Sequence, residues 1–193
     1  MSLVTGTASN DTQNFNPGDD YNLSAGTDTL VFNQTDADLT STALTSVEVL
    51  KAGVSTATTF TVDANDLASG GSVVGSSGSD TLIIDSTAFD LTSTTLTSIE
   101  QLVAGQNTDT TFTVDAADLA AGGSVIGSSG NDTLIIKGTA FNLTSTTLTD
   151  VEILQAGSTA ATTFTVDQAD LAVGGSVLGN GSAVADTLIV KSA

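Results

Sequence analysis

The 193-residue chain carries 22 acidic residues against three lysines, so its formal charge is −19. Such a surface repels nucleic acids and anionic membranes, and it attracts cations. The chain has no Cys, His, Arg or Trp, which excludes thiol and imidazole catalysis and zinc sites built on those side chains. No apolar run approaches the ~18 residues of a membrane-spanning helix, so we expect neither nucleic-acid binding nor membrane insertion.

The N-terminal segment, residues 1–30, contains regularly spaced acidic residues. Asp11, Asp20 and Asp28 follow one another at sequence steps of 9 and 8 (20 − 11 and 28 − 20). The sequence separation of Asp11 and Asp28 is therefore 17 (28 − 11), near the spacing that places two side chains on one side of a coil. We expect Asp20 to face the other way.

Residues 31–193 consist of about three copies of a 52-residue unit. The phrase TFTVDANDLA starts at Thr59, TFTVDAADLA at Thr111 and TFTVDQADLA at Thr163, so both steps equal 52 (111 − 59 and 163 − 111). Each unit contains short segments rich in β-branched and apolar residues, such as DTLII, TTFTVDA and GSVIG. Gly, Ser, Asn and Asp, the usual turn residues, separate them. Helical periodicity is weak, and DAADLA and AFDLTS could each form one helical turn at most.

The strict long period predicts an all-β protein, a parallel β-solenoid that spans residues 1–193 as a single domain. Ile99 and Val125 occupy similar strands at a separation of 26 (125 − 99), so we expect coils of about 26 residues and two coils per repeat. TLII and TFTV strands would alternate on one face, and SIEQL and SVIG strands on another. Phe60, Phe112 and Phe164 would point inward, two coils apart. An antiparallel sandwich is the alternative.

The phrase GSSGNDTLII, residues 127–136, resembles the repeats-in-toxin nonapeptide, G-G-x-G-x-D-x-U-x. Both copies of the phrase match the pattern except for a serine, Ser76 or Ser128, at the second glycine. The matching residues are Gly75, Gly78, Asp80 and Leu82 in one copy, and Gly127, Gly130, Asp132 and Leu134 in the other. Residues 1–30 resemble degenerate copies of the same pattern.

The longer phrase from DTLII to SVIG resembles the β-strand-repeat regions of large bacterial secreted surface proteins. This resemblance implies an extracellular or cell-surface protein, exported without a cleaved N-terminal signal peptide and associated with calcium.

Calcium is therefore a candidate ligand, and its candidate ligating residues are Asp11, Asp20, Asp28, Asp80 and Asp132. In a solenoid with ~4.8 Å between coils, Asp80 and Asp132 would lie about 10 Å apart. That distance is too long for one ion whose ligands lie at about 2.3–2.6 Å. A turn role, with the carboxylates accepting backbone N–H bonds, is the alternative for these two residues.

The other recurring acids have structural interpretations. We expect Asp63, Asp115 and Asp167 to cap short turns. The glutamates of the VEVL, IEQL and VEIL segments should point to solvent, and these are Glu48, Glu100 and Glu152.

Three functional hypotheses remain. The first is a non-enzymatic structural subunit that stacks head to tail with copies of itself into a filament, appendage or surface layer, because DTLIV near one end and SLVTG near the other are both strand-like. The second is a calcium-binding adhesin or spacer module of a larger surface protein, with cell-surface polysaccharide as a partner. The third is an enzyme that uses carboxylates alone, which the recurrence of nearly every acid with the repeat disfavours.

Overall fold

A computed structural model describes residues 1–181 and 183–192 of the chain. The chain is a parallel β-solenoid of about seven turns, with about 23 residues per turn. The described residues form 22 short strands and no helix, and therefore include no helix that could cross a bilayer. They are grouped in two compact units, Met1–Asp85 with Ser93–Ile99, and Ser86–Thr92 with Glu100–Ala193.

The first unit contains eleven strands of two to four residues. They are β1 Leu3–Thr5, β2 Thr12–Asn14, β3 Asp20–Asn22, β4 Thr29–Phe32, β5 Asp36–Asp38, β6 Leu44–Thr45, β7 Val49–Ala52, β8 Thr59–Val62, β9 Ser72–Val74, β10 Thr81–Ile84 and β12 Thr95–Thr97. Strands from successive turns pair side by side in parallel, and we call each such stack a ladder. The ladders of this unit run β1-β3-β6, β2-β4-β7-β9-β12 and β5-β8-β10.

The second unit is built in the same way. Its strands are β11 Ala88–Asp90, β13 Gln101–Ala104, β14 Thr111–Val114, β15 Ser124–Ile126, β16 Thr133–Ile136, β17 Ala140–Asn142, β18 Thr147–Thr149, β19 Ile153–Ala156, β20 Thr163–Asp167, β21 Ser176–Leu178 and β22 Thr187–Lys191. Its ladders run β11-β14-β16-β19-β21, β13-β15-β18 and β17-β20-β22. The segment AFD, expected as a possible helical turn, is strand β11, and DAADLA is an irregular turn.

The expected coil of about 26 residues, taken from half of the repeat, is too long. Along the longest ladder of the second unit, Thr111 pairs with Thr133, Thr133 with Ile153, and Ile153 with Ser176. The sequence steps between these partners are 22, 20 and 23. A 52-residue repeat therefore covers about two and a third turns of about 23 residues rather than two.

Equivalent strands of successive repeats consequently lie in different ladders. Strands β14 and β20 share the sequence TFTV, yet β14 belongs to the ladder β11-β14-β16-β19-β21 and β20 to the ladder β17-β20-β22. The expected division into one face of TLII and TFTV strands and another of IEQL and SVIG strands is wrong, because β14, β16, β19 and β21 all share one ladder.

Alternation along nearly every strand places apolar side chains inward and mainly Thr, Ser and Asp outward, as the period of two requires. In the TFTV strands, the Phe and Val side chains are buried and alternate with two half-buried threonines. Phe60, Phe112 and Phe164 are at most 1% exposed, which confirms their inward orientation. Within the second unit, Phe112 and Phe164 lie in different ladders.

Candidate functional site

A buried aspartate organises the turn before each of the strands β4, β10 and β16. In the second unit Asp132 is fully buried, and its carboxylate oxygens accept hydrogen bonds from the backbone N–H groups of Thr110 (2.6 Å) and Ser128 (2.5 Å). Thr110 lies on the preceding turn. The N–H of Asp132 donates to a carboxylate oxygen of Glu152 on the following turn (2.9 Å). One aspartate therefore links three successive turns.

Asp80 accepts the same two backbone bonds in the first unit. It is fully buried and accepts the N–H groups of Thr58 and Ser76, both at 2.6 Å. These are the bonds of a turn residue, which is the alternative that the sequence left open for Asp80 and Asp132. A metal ion at either carboxylate would compete with donors that already satisfy both oxygens. Calcium ligation by these two residues stays a prediction.

Asp11 and Asp28 lie together on neighbouring turns. Thr12 pairs with Thr29 in the parallel ladder, and the N–H of Asp11 donates to Oδ1 of Asp28 (2.7 Å). Asp20 begins a strand of a different ladder, where its Oδ1 accepts the N–H of Ala43 (2.9 Å). The structure thus brings together two of the three N-terminal candidate ligands and leaves the third apart from them.

Oδ2 of Asp28 is a buried oxygen without a hydrogen-bond partner, the one such side-chain atom among the described residues. In the turn before β10, Ser76 gives its N–H to Oδ2 of Asp80. Ser24 holds the same position relative to Asp28, but it has a positive φ of 74° and gives its N–H to the side chain of Asn22 (3.3 Å) instead.

The surroundings of Asp28 supply few further acidic ligands. Oδ2 of Asp11 already accepts the N–H and the hydroxyl of Thr7. The described residues contain no group of three or more acidic side chains placed to hold a metal, whereas calcium takes six to eight oxygens. Calcium ligation by Asp11, Asp20 and Asp28 stays a prediction.

The glutamates have a structural role that the sequence did not indicate. Glu48 and Glu152 are half-buried, and each accepts the N–H of the buried aspartate one turn earlier, Asp28 (2.8 Å) or Asp132 (2.9 Å). The expectation that these side chains point to solvent is wrong, because each lies directly above an amide of the previous turn. Glu100 is also half-buried.

A second aspartate turn follows each TFTV strand. Asp63, Asp115 and Asp167 accept the N–H two residues later, as caps do, but they close turns rather than helices. The N–H groups of these three residues donate to a second aspartate three positions on: Asp66 (2.7 Å), Asp118 (2.8 Å) and Asp170 (2.8 Å).

Burial perturbs these second aspartates, which are only 3% exposed. Burial raises the pKa of Asp66 and of Asp118 to about 7, against the lowering effect of the backbone bonds, and it also raises the pKa of Asp170. The signal that could have found them is the spacing D-x-x-D followed by leucine in all three copies.

The last strand, β22, has an open edge. Among the described residues it pairs only with β20, and its apolar side chains are exposed, with Leu188 at 44% and Val190 at 53%. The N–H of Thr187 donates to the carbonyl of Thr162 on the β20 side (2.8 Å). Since alternate residues of a parallel strand bond to opposite neighbours, the N–H groups of Leu188 and Val190 point to the open edge.

The first strand, β1, also has one edge that pairs with no other described strand. Within the part of the chain that the structure describes, it pairs only with β3, through Leu3 with Asp20 and Val4 with Tyr21. Leu3 is 62% exposed, while Val4 is half-buried on the inner side. Both end strands therefore present backbone groups and apolar side chains that inner strands bury.

Comparisons with protein-family models, with curated proteins and with solved structures find no match for this chain. The class that the fold defines is a parallel β-solenoid repeat protein.

Proposed function

We propose that the protein is a non-enzymatic structural subunit that assembles end to end, outside the cell, into a filament, appendage or surface layer. The observation that carries this proposal is the open edge of β22, with exposed Leu188 and Val190 beside free N–H groups. An unprotected strand edge favours pairing with another chain. Contact between two unlike ends, repeated along the solenoid axis without closing into a ring, yields a fibre.

The energetics of one such contact are modest. Each backbone hydrogen bond contributes ~1 kcal/mol net, and burial of Leu188 and Val190 adds about 25 cal/mol per Å2 of apolar area. The loss of translational and rotational freedom opposes association. Side-by-side contacts between filaments would then add to the stability of the assembly.

Charge regulates this assembly. Copies with a net charge of −19 repel one another, and divalent cations relieve that repulsion better than sodium at equal ionic strength if they bind to carboxylates. A calcium-poor cytosol would keep subunits apart and a calcium-rich exterior would let them join. Electron microscopy and sedimentation of the purified protein, in calcium and in sodium at matched ionic strength, test this.

The open edge is tested by Val190→Pro, with Val190→Ala as its matched control. Proline removes the N–H that points to the open edge and places its ring there, whereas alanine keeps the N–H. We expect the wild type and Val190→Ala to form filaments and Val190→Pro to stay monomeric while its circular dichroism is unchanged. Wild-type protein that stays monomeric at high concentration with calcium would overturn the proposal.

A second candidate function is a calcium-binding adhesin or spacer module, with cell-surface polysaccharide as a partner. The unpartnered, buried Oδ2 of Asp28 favours it, because an uncompensated buried carboxylate oxygen is costly unless a proton or cation satisfies it. Calorimetric titration with calcium of the wild type and of Asp28→Asn tests this candidate. Saturable binding that the substitution abolishes supports it, and equal heats from both proteins would reject it.

Catalysis does not form part of the proposal. Six recurring aspartates are buried at 3% exposure or less. At least one carboxylate oxygen of each accepts a backbone N–H, so these groups hold turns together; they are Asp28, Asp66, Asp80, Asp118, Asp132 and Asp170.

A further inference from the structure

The order of strands within a ladder shows what the open edge of β22 accepts. In the first unit β4, with sequence TLVF, pairs with β7 on the next turn, at a sequence step of 20 (49 − 29). In the second unit β16, with sequence TLII, pairs with β19 at the same step of 20 (153 − 133). Each TLII-type strand is therefore followed, on its next turn, by a strand of the type VLKA or ILQA. Strand β22, with sequence TLIV, is of the TLII type.

Strand β1 is equivalent to β7 and β19. In the first unit Val49 and Leu50 of β7 pair with Ser72 and Val73 of β9. Strand β3 precedes β9 by one full repeat, a step of 52 (72 − 20), and Leu3 and Val4 of β1 pair with β3 in the same way. Leu3 and Val4 thus correspond to Val49 and Leu50. Strand β1 also lacks the TLII-type partner that precedes β7 and β19, because it begins its ladder.

We propose that β1 of one copy docks in parallel on the open edge of β22 of another copy, in a single register. This register sets Thr187 opposite Leu3, Leu188 opposite Val4 and Ile189 opposite Thr5, as Thr133, Leu134 and Ile135 stand opposite Ile153, Leu154 and Gln155. This proposal rests on the proposed end-to-end assembly, and it specifies which strand of the second copy binds β22 and in which register.

The sizes of the inward side chains agree with this register. Opposite the large fourth residue of the TLII-type strand stands a small one, Ala52 facing Phe32 and Ala156 facing Ile136. In the proposed contact between β22 of one copy and β1 of another, the residue opposite Val190 is also small, because it is Gly6. Leu188, inward in its own strand because it pairs with Phe164, meets Val4, whose side chain is also on the inner side.

The absence of cysteine from the chain allows a direct test by disulfide formation. We would prepare Thr5→Cys and Ile189→Cys as separate proteins, since both positions face outward on their strands, and mix them under mild oxidation. Directly opposite residues of neighbouring strands are ~5 Å apart at the Cα atoms, within the range that a disulfide bridges. We expect a covalent dimer in the mixture and none in either protein alone.

The matched control is Thr5→Cys mixed with Lys191→Cys, which also faces outward but is displaced by two residues. That displacement adds ~6.6 Å along the strand, so the Cα atoms lie beyond the ~7 Å limit for a disulfide. We expect at least tenfold less dimer from this pair. Equal yields from the two pairs, or self-crosslinking of Ile189→Cys alone, would overturn the register.

Electron microscopy of wild-type protein, run in parallel, separates the two levels of the proposal. Filaments without the Thr5–Ile189 crosslink leave end-to-end assembly standing and reject the register. An absence of filaments and of crosslinks under all calcium concentrations rejects both.

Discussion

Strands β16 and β22 have nearly the same sequence, TLII and TLIV, but very different surroundings. Leu134 and Ile136 of β16 are fully buried, whereas Leu188 and Val190 of β22 are 44% and 53% exposed. Both strands pair with a TFTV strand below them. The difference is the turn above, since β16 is covered by β19 and nothing covers β22 among the described residues. In this fold a strand is buried by its neighbouring turns, and its own sequence only makes it suitable for burial.

Alanine substitution of the two equivalent leucines, one in β16 and one in β22, measures this difference in burial. Leu134→Ala removes a fully buried side chain, and we expect it to lower the free energy of unfolding by about 2–5 kcal/mol. Leu188→Ala should lower it by less than about 1 kcal/mol, because the side chain is already half in solvent. Urea denaturation at low protein concentration, where association does not contribute, is the measurement. Equal losses would show that a covering turn does not determine the burial energy.

The aspartates before the two strands provide the next comparison. Asp132→Ala leaves the N–H groups of Thr110 and Ser128 without their acceptor, at about 1–3 kcal/mol for each group that stays buried. Asp186 accepts equivalent bonds from Thr162 (2.8 Å) and Asn180 (3.1 Å) but is half-buried.

Water can replace the lost carboxylate there, so we expect Asp186→Ala to cost about 1 kcal/mol or less. Thermal unfolding of both variants tests the difference. Asp132→Asn is the control, because its amide oxygen still accepts one bond. A larger loss for Asp186→Ala than for Asp132→Ala would contradict the expectation.

The buried second aspartates predict an unusual pH dependence. Asp66 faces Asp63 and Asp38, and Asp118 faces Asp115 and Asp90, and burial raises both pKa values from 3.8 to about 7. At a pH between 3.8 and about 7, the folded chain keeps protons on these two carboxyl groups that the unfolded chain has lost. Stability from these groups is therefore complete below pH ~4 and is lost as the pH rises through about 7.

Asp118→Asn should flatten this dependence and raise the melting temperature at pH 8, since the amide still accepts the N–H of Asp115 without carrying a charge. Asp170→Asn, in the last turn, should change it less. Melting temperatures of the three proteins from pH 4 to pH 8 test this expectation. Unchanged slopes in Asp118→Asn would mean that other carboxylates control the pH response.

Alanine substitution of two equivalent glycines should cost the same stability in an inner turn and in the last turn. Gly122 and Gly174 have φ values of +78° and +81°, and a Cβ at either would meet nothing within 4 Å. Alanine at either position introduces only local backbone strain, about 1 kcal/mol. We expect Gly122→Ala and Gly174→Ala to lower stability equally, as measured by urea denaturation. A clear inequality would show that the covering turn also affects the backbone.

The sequence was sufficient to predict a parallel solenoid, because short β-branched segments at a strict long period leave few other ways to bury an apolar face. It was insufficient for the turn length. A 52-residue repeat divides naturally into two equal turns, and only the pairing of Thr111 with Thr133 and of Thr133 with Ile153 shows the shorter steps.

The sequence alone does not show which residues lie on adjacent turns, and for the same reason it did not indicate the role of the glutamates. Glu152 meets the N–H of Asp132 only because the two residues, far apart in sequence, lie on adjacent turns. The turn role of Asp80 and Asp132 was foreseeable, since an aspartate among glycines and serines regularly binds nearby amides. The missing partner of Asp28 was not, because it depends on the backbone conformation of Ser24.

Because one 52-residue repeat covers more than two turns, copies of the same strand do not lie on adjacent turns of a ladder. Along the ladder β11-β14-β16-β19-β21 the five strands read AFD, TFTV, TLII, ILQA and SVL, so no strand stacks on its own copy. A slip by one turn would set each side chain against the wrong neighbour and would be penalised along the whole ladder. Stacking of identical strands, the arrangement that amyloid fibrils share, is thereby avoided by a protein made almost entirely of repeats.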